Sequence, residues 1–504
     1  MKQVRKYMYV MLLFIIAACT KDSNNFSYEE PFDFQISDDI EGVIQIRQGE
    51  ILSLTPHFDD SNGDYSYLWF AWPNTGALGY NNMRDTLGTA KELTAEIRGS
   101  YYIVGVPYKL TFKVTDNRTG VSDFYFYDLN ITNVYSEGWM VLEDRNGQAD
   151  FSMLLPDGDV IRQIYSSINP NHLITQPLML GLSSGSVNDD IDPLPVRKFY
   201  IAGKNDAVEL DVLTMQKKAD FDFLFFQPPP VTQLSFIGWS GTSLGVIINE
   251  KLLCTNFVGG FPGAKKFGLY MQAPELEYDY EIAPFVANIG EYDWRAHPVV
   301  YQHIMYDQKN KRFYNVTGEN LNTFPTNASN TSIFNMNDVG LTMKYMASSN
   351  TSNAHNAIMY EGAQAYLLQF SSLTTDGNPI ITQSKRIMTA PYILETSASS
   401  IASSTLSGHI FYGYENTLYR YAINSNTTNQ VHTFTANEEI INVKFRMIRT
   451  ADDESGQLLV ATWDGQESKL YDFAISATGA IAESGEPAKG GFDRVVDMVY
   501  KNVN

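Results

Sequence analysis

Cysteine, basic residues and long apolar runs are all scarce in this sequence. Only two cysteines, Cys19 and Cys254, occur in 504 residues, so the disulfide framework that staples many small secreted domains is excluded. The 36 lysines and arginines are outnumbered by 57 acidic residues, which gives a formal net charge of −21. Because so acidic a chain is repelled by phosphate backbones and anionic lipid surfaces, binding to nucleic acid, or to a membrane through a basic face, is disfavoured.

The one long apolar run lies at the N-terminus and ends in a cysteine. Residues 7–18 are twelve in number, too few to cross about 30 Å of hydrocarbon, and basic residues precede them. This is the pattern of a secretory signal peptide, which we predict at residues 1–18. The sequence IAAC that ends the run resembles a bacterial lipobox, so we predict lipidation of Cys19 and a lipidated tether at residues 19–31. An ordinary secretory signal with a coincidental cysteine is the alternative.

Amphipathic helical periodicity is lacking too, and short alternating runs broken by Gly, Asn, Asp and Pro take its place. This pattern is typical of an all-β protein, and the aromatic content of 13% suits strands. We predict an immunoglobulin-like β-sandwich at residues 32–133 and a β-propeller at residues 134–504.

Two strand patterns within about 100 residues support the sandwich. An aromatic run at residues 65–72 contains Trp69, which alternates with apolar neighbours and is therefore expected in the core. Residues 108–114 alternate cleanly, so that Tyr108 and Phe112 share one face of a strand.

A hairpin repeat supports the propeller. Seven hairpins recur at intervals of about 50 residues, the spacing of propeller blades. One reference residue marks the second strand of each hairpin: Phe151, Leu210, Leu252, Phe313, Tyr366, Leu418 and Leu470. We predict seven blades, with six or eight as alternatives because two of the intervals are irregular. The Asn-, Ser- and Thr-rich stretches 319–353 and 396–408 are expected to be loops.

The junction of the two regions resembles a known family. Val114-Thr115-Asp116 with Thr119-Gly120 is followed by Gly138-Trp139-Met140-Val141-Leu142. This is similar to the PKD-like family of surface lipoproteins in Bacteroidota, in which a V-T-D-x-x-T-G turn leads into a G-W strand. The C-terminal sequence GGFDRVVDMVYK at residues 490–501 also resembles that family.

The resemblance implies a cellular context. Such proteins are outer-membrane lipoproteins exposed at the cell surface, where they accompany SusC/SusD-like importers as accessory subunits that bind glycans or peptides. It implies no catalytic residues for this chain. The W-D-F-G-D-G motif of ordinary PKD modules is replaced by Trp69-Phe70-Ala71-Trp72, so a ligand role attached to that motif does not carry over.

Aromatic residues in loop-like sequence are the candidate ligand-binding residues, because a Trp or Tyr face packs against apolar ligand surfaces. Trp239 lies in a Gly- and Ser-rich stretch, and Trp294 lies with Tyr292 and Arg295 in a polar one. Packing of these tryptophans between blades is the favoured alternative.

A turn rich in oxygen ligands is the candidate metal site. Asp59, Asp60, Asn62 and Asp64 could together hold Ca²⁺. The EF-hand pattern is incomplete, however, which favours a plain Asx-type turn. No other cofactor is indicated.

Catalytic motifs are not supported. The G-x-S-x-G match at residues 181–185 lacks the strand-to-helix pattern of a nucleophile elbow, the seven histidines are scattered, and Cys254 is expected in the core. We therefore predict a binding subunit rather than an enzyme. A surface glycosidase, lyase or peptidase with its site at the propeller axis, and a purely structural adaptor, are the alternatives.

Overall fold

The computed structural model describes residues 36–37, 42–57, 63–74, 84–98, 101–183, 197–240, 244–255, 266–286, 303–317, 320–351, 354–371, 374–375, 378–379, 382–446, 456–483 and 488–502. Contacts divide the chain into two compact units, Met1–Thr132 and Asn133–Asn504. Both are built almost wholly from strands, which confirms the predicted all-β class.

The first unit is a sandwich. Its strands are β1 (Val43–Arg47), β2 (Ile51–Leu54), β3 (Tyr65–Pro73), β4 (Asp85–Gly88), β5 (Leu93–Glu96), β6 (Pro107–Asp116) and β7 (Ser122–Thr132). Five of them form a sheet in the order β1-β7-β6-β3-β4, and β2 pairs with β5. All these pairs are antiparallel except β1 with β7.

Aromatic rings fill the core of the sandwich. Trp69 is fully buried, its ring centroid lies 4.4 Å from that of Phe112, and its indole N–H donates to the carbonyl of Ala90 at 3.0 Å. Tyr108 is also buried. The strand alternation read from the sequence is thus confirmed.

The second unit is a series of antiparallel sheets that follow one another along the chain. The first three contain β8 (Gly138–Arg145), β9 (Gln148–Leu154) and β10 (Val160–Ile161); β11 (Pro177–Leu182), β12 (Phe199–Gly203), β13 (Ala207–Leu210) and β14 (Lys217–Asp220); and β15 (Leu234–Ser240), β16 (Leu244–Asn249) and β17 (Leu252–Thr255). A short helix α1 (Ile164–Ile168) follows β10, and a 3₁₀ helix (Phe221–Leu224) follows β14.

The next two sheets contain β18 (Ile304–Asp307), β19 (Arg312–Thr317) and β20 (Asn320–Asn322), then β21 (Thr342–Ser348), β22 (Ala354–Glu361) and β23 (Gln364–Ser371) with β26 (Thr382–Ile387). Helix α2 (Ala328–Thr331) precedes β21, and a small hairpin of β24 (Thr374–Thr375) and β25 (Asn378–Pro379) precedes β26.

The last two sheets contain β27 (Ile401–Ser403), β28 (His409–Tyr414), β29 (Thr417–Ala422) and β30 (Thr427–Thr433), then β31 (Glu439–Phe445), β32 (Gly456–Trp463), β33 (Ser468–Ile475), β34 (Ile481–Glu483) and β35 (Lys489–Phe492). A 3₁₀ helix (Ala398–Ser400) leads into β27. The part of the chain that the structure describes therefore holds seven such sheets.

The sheets are those of a β-propeller, and its hairpins lie where the repeat predicted them. The seven reference residues fall in β9, β13, β17, β19, β23, β29 and β33, each the second strand of a hairpin. The number of blades in the complete chain stays a prediction.

The C-terminal strand joins the first sheet of the propeller. β36 (Arg494–Lys501) runs antiparallel to β8, from Arg494 opposite Asp144 to Lys501 opposite Gly138. The first sheet therefore combines strands from opposite ends of the unit. Met498 of β36 and Trp139 of β8 are both buried in the cluster that joins this sheet to its neighbour.

A recurring backbone hydrogen bond ties one sheet to the hairpin turn of the sheet before it. Leu234 donates its N–H to the carbonyl of Lys204 at 2.7 Å, and Ile440 donates to Glu415 at 2.7 Å. Because the acceptors lie in the turns of the preceding hairpins, the turns position the starts of the inner strands.

The two stretches expected to be loops are partly regular, so that expectation was wrong. The Ser-rich segment 396–408 contains β27, and Ser400, Ser404 and Ser407 are buried. The segment 319–353 contains β20, α2 and β21. β27 itself is Ile401-Ala402-Ser403, and the three buried serines flank it, so a segment with the composition of a loop is packed inside the unit.

Candidate functional site

A cavity of about 460 Å³ lies at the axis of the propeller unit. Inner segments of all seven sheets line it. They are β11, β15, residues 284–286, β21, residues 398–405, β31 and β36. Residues 284–286 follow the bridge between Ile282 and Asp307, which attaches them to the sheet of β18. The volume falls within the range of small-molecule sites.

Small and apolar side chains make up most of the wall. Ala347, Ala398 and Ala402 lie on it among Leu, Met, Val and Phe side chains. Phe285 and Tyr345 meet edge to face with ring centroids 5.8 Å apart. Such a wall offers flat and aliphatic surfaces to a ligand and few polar contacts.

The hydroxyls of the wall are occupied by internal hydrogen bonds. Ser403 donates to the carbonyl of Ser348 at 2.8 Å and accepts from the Nδ2 of Asn356 at 3.0 Å. Asn356 in turn accepts from Gln369 at 3.0 Å. This buried series of hydrogen bonds fixes β27 against β21. Ser403 therefore holds the wall in place.

One ion pair stands in the cavity. Lys444 Nζ lies 3.0 Å from Asp497 Oδ1, and Asp497 Oδ2 accepts from the N–H of Leu180 at 3.1 Å. Both oxygens of Asp497 are therefore engaged. The side chain of Lys444 is 44% exposed, and an ammonium has three donors, so Lys444 can also donate to a ligand.

Arg197 is the other cation of the wall and serves to join its parts. Its Nε donates to the carbonyl of Ser183 at 2.9 Å, and its Nη1 donates to the carbonyl of Asn502 at 3.2 Å. The residue is only 5% exposed. It therefore links the end of β11 to the end of β36 instead of reaching for a ligand.

The described residues that line the cavity do not include the carboxylate pair that glycosidase chemistry requires. Asp497 is the single carboxylate among the described residues that line it. Glycoside hydrolysis ordinarily needs two, one as acid and one as nucleophile or base. Asp497 itself is held by Lys444 and by the N–H of Leu180.

Glu143 is a buried carboxylate outside the cavity, on β8. It accepts from the hydroxyl of Ser152 at 2.5 Å and from the N–H of Asp493 at 2.6 Å. Desolvation by burial raises the pKa of Glu143 to about 7, against the hydrogen bonds from Ser152 and Asp493, which lower it. Because Asp493 immediately precedes β36, Glu143 helps to place the C-terminal strand.

Trp239 does not lie in a loop but packs between two sheets of the propeller, which is the alternative favoured from the sequence. It belongs to β15 and is 8% exposed, packed in a cluster with Tyr200, Ile247 and Cys254. Its indole Nε1 has no hydrogen-bond partner within the described residues. The Gly- and Ser-rich sequence around it resembles a loop in composition. A ligand-binding role for Trp239 stays untested.

The remaining candidates fall largely outside the described residues. These are Cys19, Trp294, Tyr292, Arg295, Asp59, Asp60 and Asn62. Asp64 is described, and its Oδ1 accepts from Asn117 at 3.0 Å. Across the described ranges, no three His, Cys, Asp or Glu side chains are arranged to hold a metal ion.

Residues 181–183 of the G-x-S-x-G match and the thiol of Cys254 lie in the described part of the chain. Gly181 lies in β11, which pairs antiparallel with β12, whereas an elbow needs a parallel sheet. Ser184 and Gly185 of that match lie outside the described residues. Cys254 is buried, and desolvation raises its pKa to about 12, so its thiol stays protonated at neutral pH.

Sequence reasoning missed Lys444, Asp497 and the wall around them. Asp497 carried a signal, since it interrupts the apolar run VVDMVY, and a carboxylate in a buried strand needs a partner. Lys444 gave no such signal, because its place at the axis follows from the arrangement of the sheets.

The model of the PKD-like family matches residues 19–177. The match spans the sandwich unit and reaches through the first strands of the propeller unit. It agrees with the resemblance noted at the junction. No curated protein matches the chain.

Solved structures of similar outline share little sequence with the chain. A quinonprotein alcohol dehydrogenase-like protein from Bacteroides thetaiotaomicron is 11% identical over 91% of this chain and 96% of its own, with a TM-score of 0.40. A DUF4784 family protein from Bacteroides caccae is 8% identical over 93% and 99%, with a TM-score of 0.29. The WD40 domain of SCAP from fission yeast is 9% identical over 63% and 75%, with a TM-score of 0.34. Likenesses this weak carry no weight for function.

Within the residues described, no helix combines the length and apolarity that a membrane span requires.

Proposed function

We propose that the protein is a non-catalytic binding protein whose propeller unit takes a small ligand at its axis. The observation that supports this most is the composition of the cavity wall. Seven sheets contribute apolar and aromatic surface around about 460 Å³, and the one carboxylate among the described lining residues is already engaged. Such a wall suits binding of a ligand without its chemical conversion.

The wall also indicates the ligand class. Aromatic and aliphatic side chains favour a ligand with an apolar face, such as a sugar ring or a peptide side chain. Lys444 is the partly exposed cation of the cavity and favours an acidic group on that ligand. The proposed ligand is a short peptide or sugar fragment that bears a carboxylate.

The proposal extends to the cellular role. We place the protein at the cell surface, anchored in the outer membrane through Cys19, as an accessory subunit of a SusC/SusD-like uptake system. The lipobox-like sequence IAAC and the PKD-like match at residues 19–177 support this role. The substrate of the associated importer would then identify the ligand.

The site is tested by filling it. In Ala347→Phe a ring enters the cavity from β21, whereas in Ala363→Phe the same ring is added at an exposed turn. Calorimetric titration of the full chain with acidic di- and trisaccharides and short peptides should show saturable binding that A347F weakens at least tenfold and A363F preserves. Equal binding by A347F would place the site elsewhere.

The cellular role is tested by purification. The lipidated protein, solubilised gently from outer membranes, should carry a SusC/SusD-like pair in near-stoichiometric amount by mass spectrometry. A Cys19→Ala variant should lose the membrane fraction and the pair together. Recovery of the lipidated protein alone would contradict the accessory role, and a stable complex without ligand binding would favour a structural adaptor.

A further inference from the structure

The outer face of the five-stranded sheet in the sandwich unit carries aromatic rings that its core does not use. Along β7, Tyr125 and Tyr127 point to the core, whereas Phe124 and Phe126 point the other way. Phe124 stands opposite Lys113 of β6 in the register of the sheet. The alternation of a strand therefore places these side chains together on one side.

The two phenylalanines form an exposed, stacked pair. Phe124 is 44% exposed and Phe126 is 56% exposed. Their ring centroids are 6.4 Å apart, and the planes differ by 13°. Adjacent exposed rings in the middle of a strand are costly in water and commonly mark a binding surface.

Cations lie on the same face of the sheet as these rings. Lys113 Nζ lies 5.9 Å from the centroid of Phe124. The guanidinium of Arg84 lies 5.1 Å from the ring centroid of Phe70. Phe70 of β3 and Phe126 of β7 are both paired with Thr111 of β6, so they lie on the same face of the sheet. Lys109 is also there, paired with Asp128 at 2.7 Å.

The charge of this aromatic face, defined by Phe124, Phe126, Lys109, Lys113 and Arg84, is opposite to that of the chain. Among the described residues of this face, three cations meet one carboxylate, Asp128, whereas the whole chain carries a net charge of −21. A cationic face on an acidic protein is complementary to an anionic partner. Its flat rings are complementary to a partner with flat apolar faces.

We propose that the aromatic face binds an acidic polysaccharide. The C–H faces of successive sugar rings lie on Phe124 and Phe126, and uronate or sulfate groups meet Lys113 and its neighbouring cations. A bilayer fits less well, because side chains that enter lipid usually project from a helix or loop rather than lie across a sheet. This site is independent of the proposed axial ligand, since it belongs to the other unit.

The test uses the full chain in detergent and three glycans: polygalacturonate, chondroitin sulfate and neutral dextran. Binding is followed by affinity electrophoresis and by titration at low and high salt. The double variant Phe124→Ser with Phe126→Ser, and the single variant Lys113→Gln, remove the rings and the cation. The matched control is Phe223→Ser with Phe226→Ser on the propeller unit, where the rings are 52% and 58% exposed and Lys266 lies 3.9 Å from the Phe223 centroid.

The proposal predicts binding to at least one acidic glycan and none to dextran. F124S/F126S should weaken binding at least tenfold and K113Q severalfold, the control should match the wild type, and salt should weaken binding because the charges are exposed. Failure of the wild type to bind either acidic glycan, or equal loss in the control, would overturn it. So would a wild-type dimer in sedimentation that F124S/F126S dissociates, since the face would then join two copies.

Discussion

The two units, both built from strands, have their proposed binding surfaces in opposite positions, one on the outside of a sheet and the other inside a ring of sheets. The sandwich unit buries its aromatic residues in one core around Trp69 and leaves its aromatic face on the outside of a sheet. The propeller unit spreads its core over successive sheet interfaces and leaves a cavity inside. A sheet that covers one core exposes its other face, whereas sheets arranged around an axis bury both faces and open only at the centre.

The largest effect is expected from removing the C-terminal strand, which should unfold the propeller unit and leave the sandwich unit folded. Deleting residues 494–504 removes β36 and leaves β8 as an unpaired edge, so the propeller unit should lose its cooperative unfolding transition. The sandwich unit should keep its own transition. Calorimetry measures both, and deletion of residues 503–504 alone is the control. An unchanged propeller transition would show that β36 is dispensable.

Large-to-small changes in the two cores should act on one unit each. Trp69→Ala removes a fully buried ring from the sandwich, and Trp139→Ala removes a 3% exposed ring from the first sheet of the propeller. Each should cost about 3–5 kcal/mol, seen in denaturant unfolding as a shift of one transition only. A common shift of both transitions would contradict the separation into units.

The pH dependence of the propeller should come partly from Glu143. Burial raises the pKa of Glu143 from 4.5 to about 7, so the folded state keeps a proton that the unfolded chain releases. The free energy of unfolding should therefore fall as pH rises from about 4.5 to about 7, by up to about 3 kcal/mol.

Urea unfolding across this pH range measures the fall in stability. Glu143→Gln should flatten the dependence, whereas Glu361→Gln, at the exposed end of β22 in another sheet, should keep it. An unchanged slope in E143Q would assign the effect to other groups.

The smallest effect is expected at the rim of the propeller. Lys251 and Glu281 lie 2.8 Å apart with side chains 62% and 40% exposed. Since exposed ion pairs contribute little, Lys251→Gln should change the free energy of unfolding by less than about 1 kcal/mol. A larger loss in denaturant unfolding would mean that the turns join the sheets through side chains as well as through their backbone.

The sequence predicted what depends on local pattern. Alternation placed Trp69 and Phe112 in a core, and the repeat located hairpins around Phe151 and Leu470. It failed where composition misleads. The Ser-rich segment 396–408 was expected to be a loop but contains the inner strand β27. The Gly- and Ser-rich stretch around Trp239 resembles a loop in composition, whereas Trp239 lies in β15 and packs in a buried cluster, which was the favoured alternative. Lys444 lies in β31 and Asp497 in β36, two strands that meet only in the folded unit, so no local sequence pattern predicts their ion pair.

The central claim, a binding site at the propeller axis without catalysis, is tested most directly by one titration. Wild type, A347F and A363F would each be titrated with the acidic oligosaccharide and peptide panel, and the same samples analysed for product by mass spectrometry. The account predicts saturable binding in the wild type and A363F, at least tenfold weaker binding in A347F, and no product. Product formed by the wild type and lost in A347F would make the axis an active site and contradict the account.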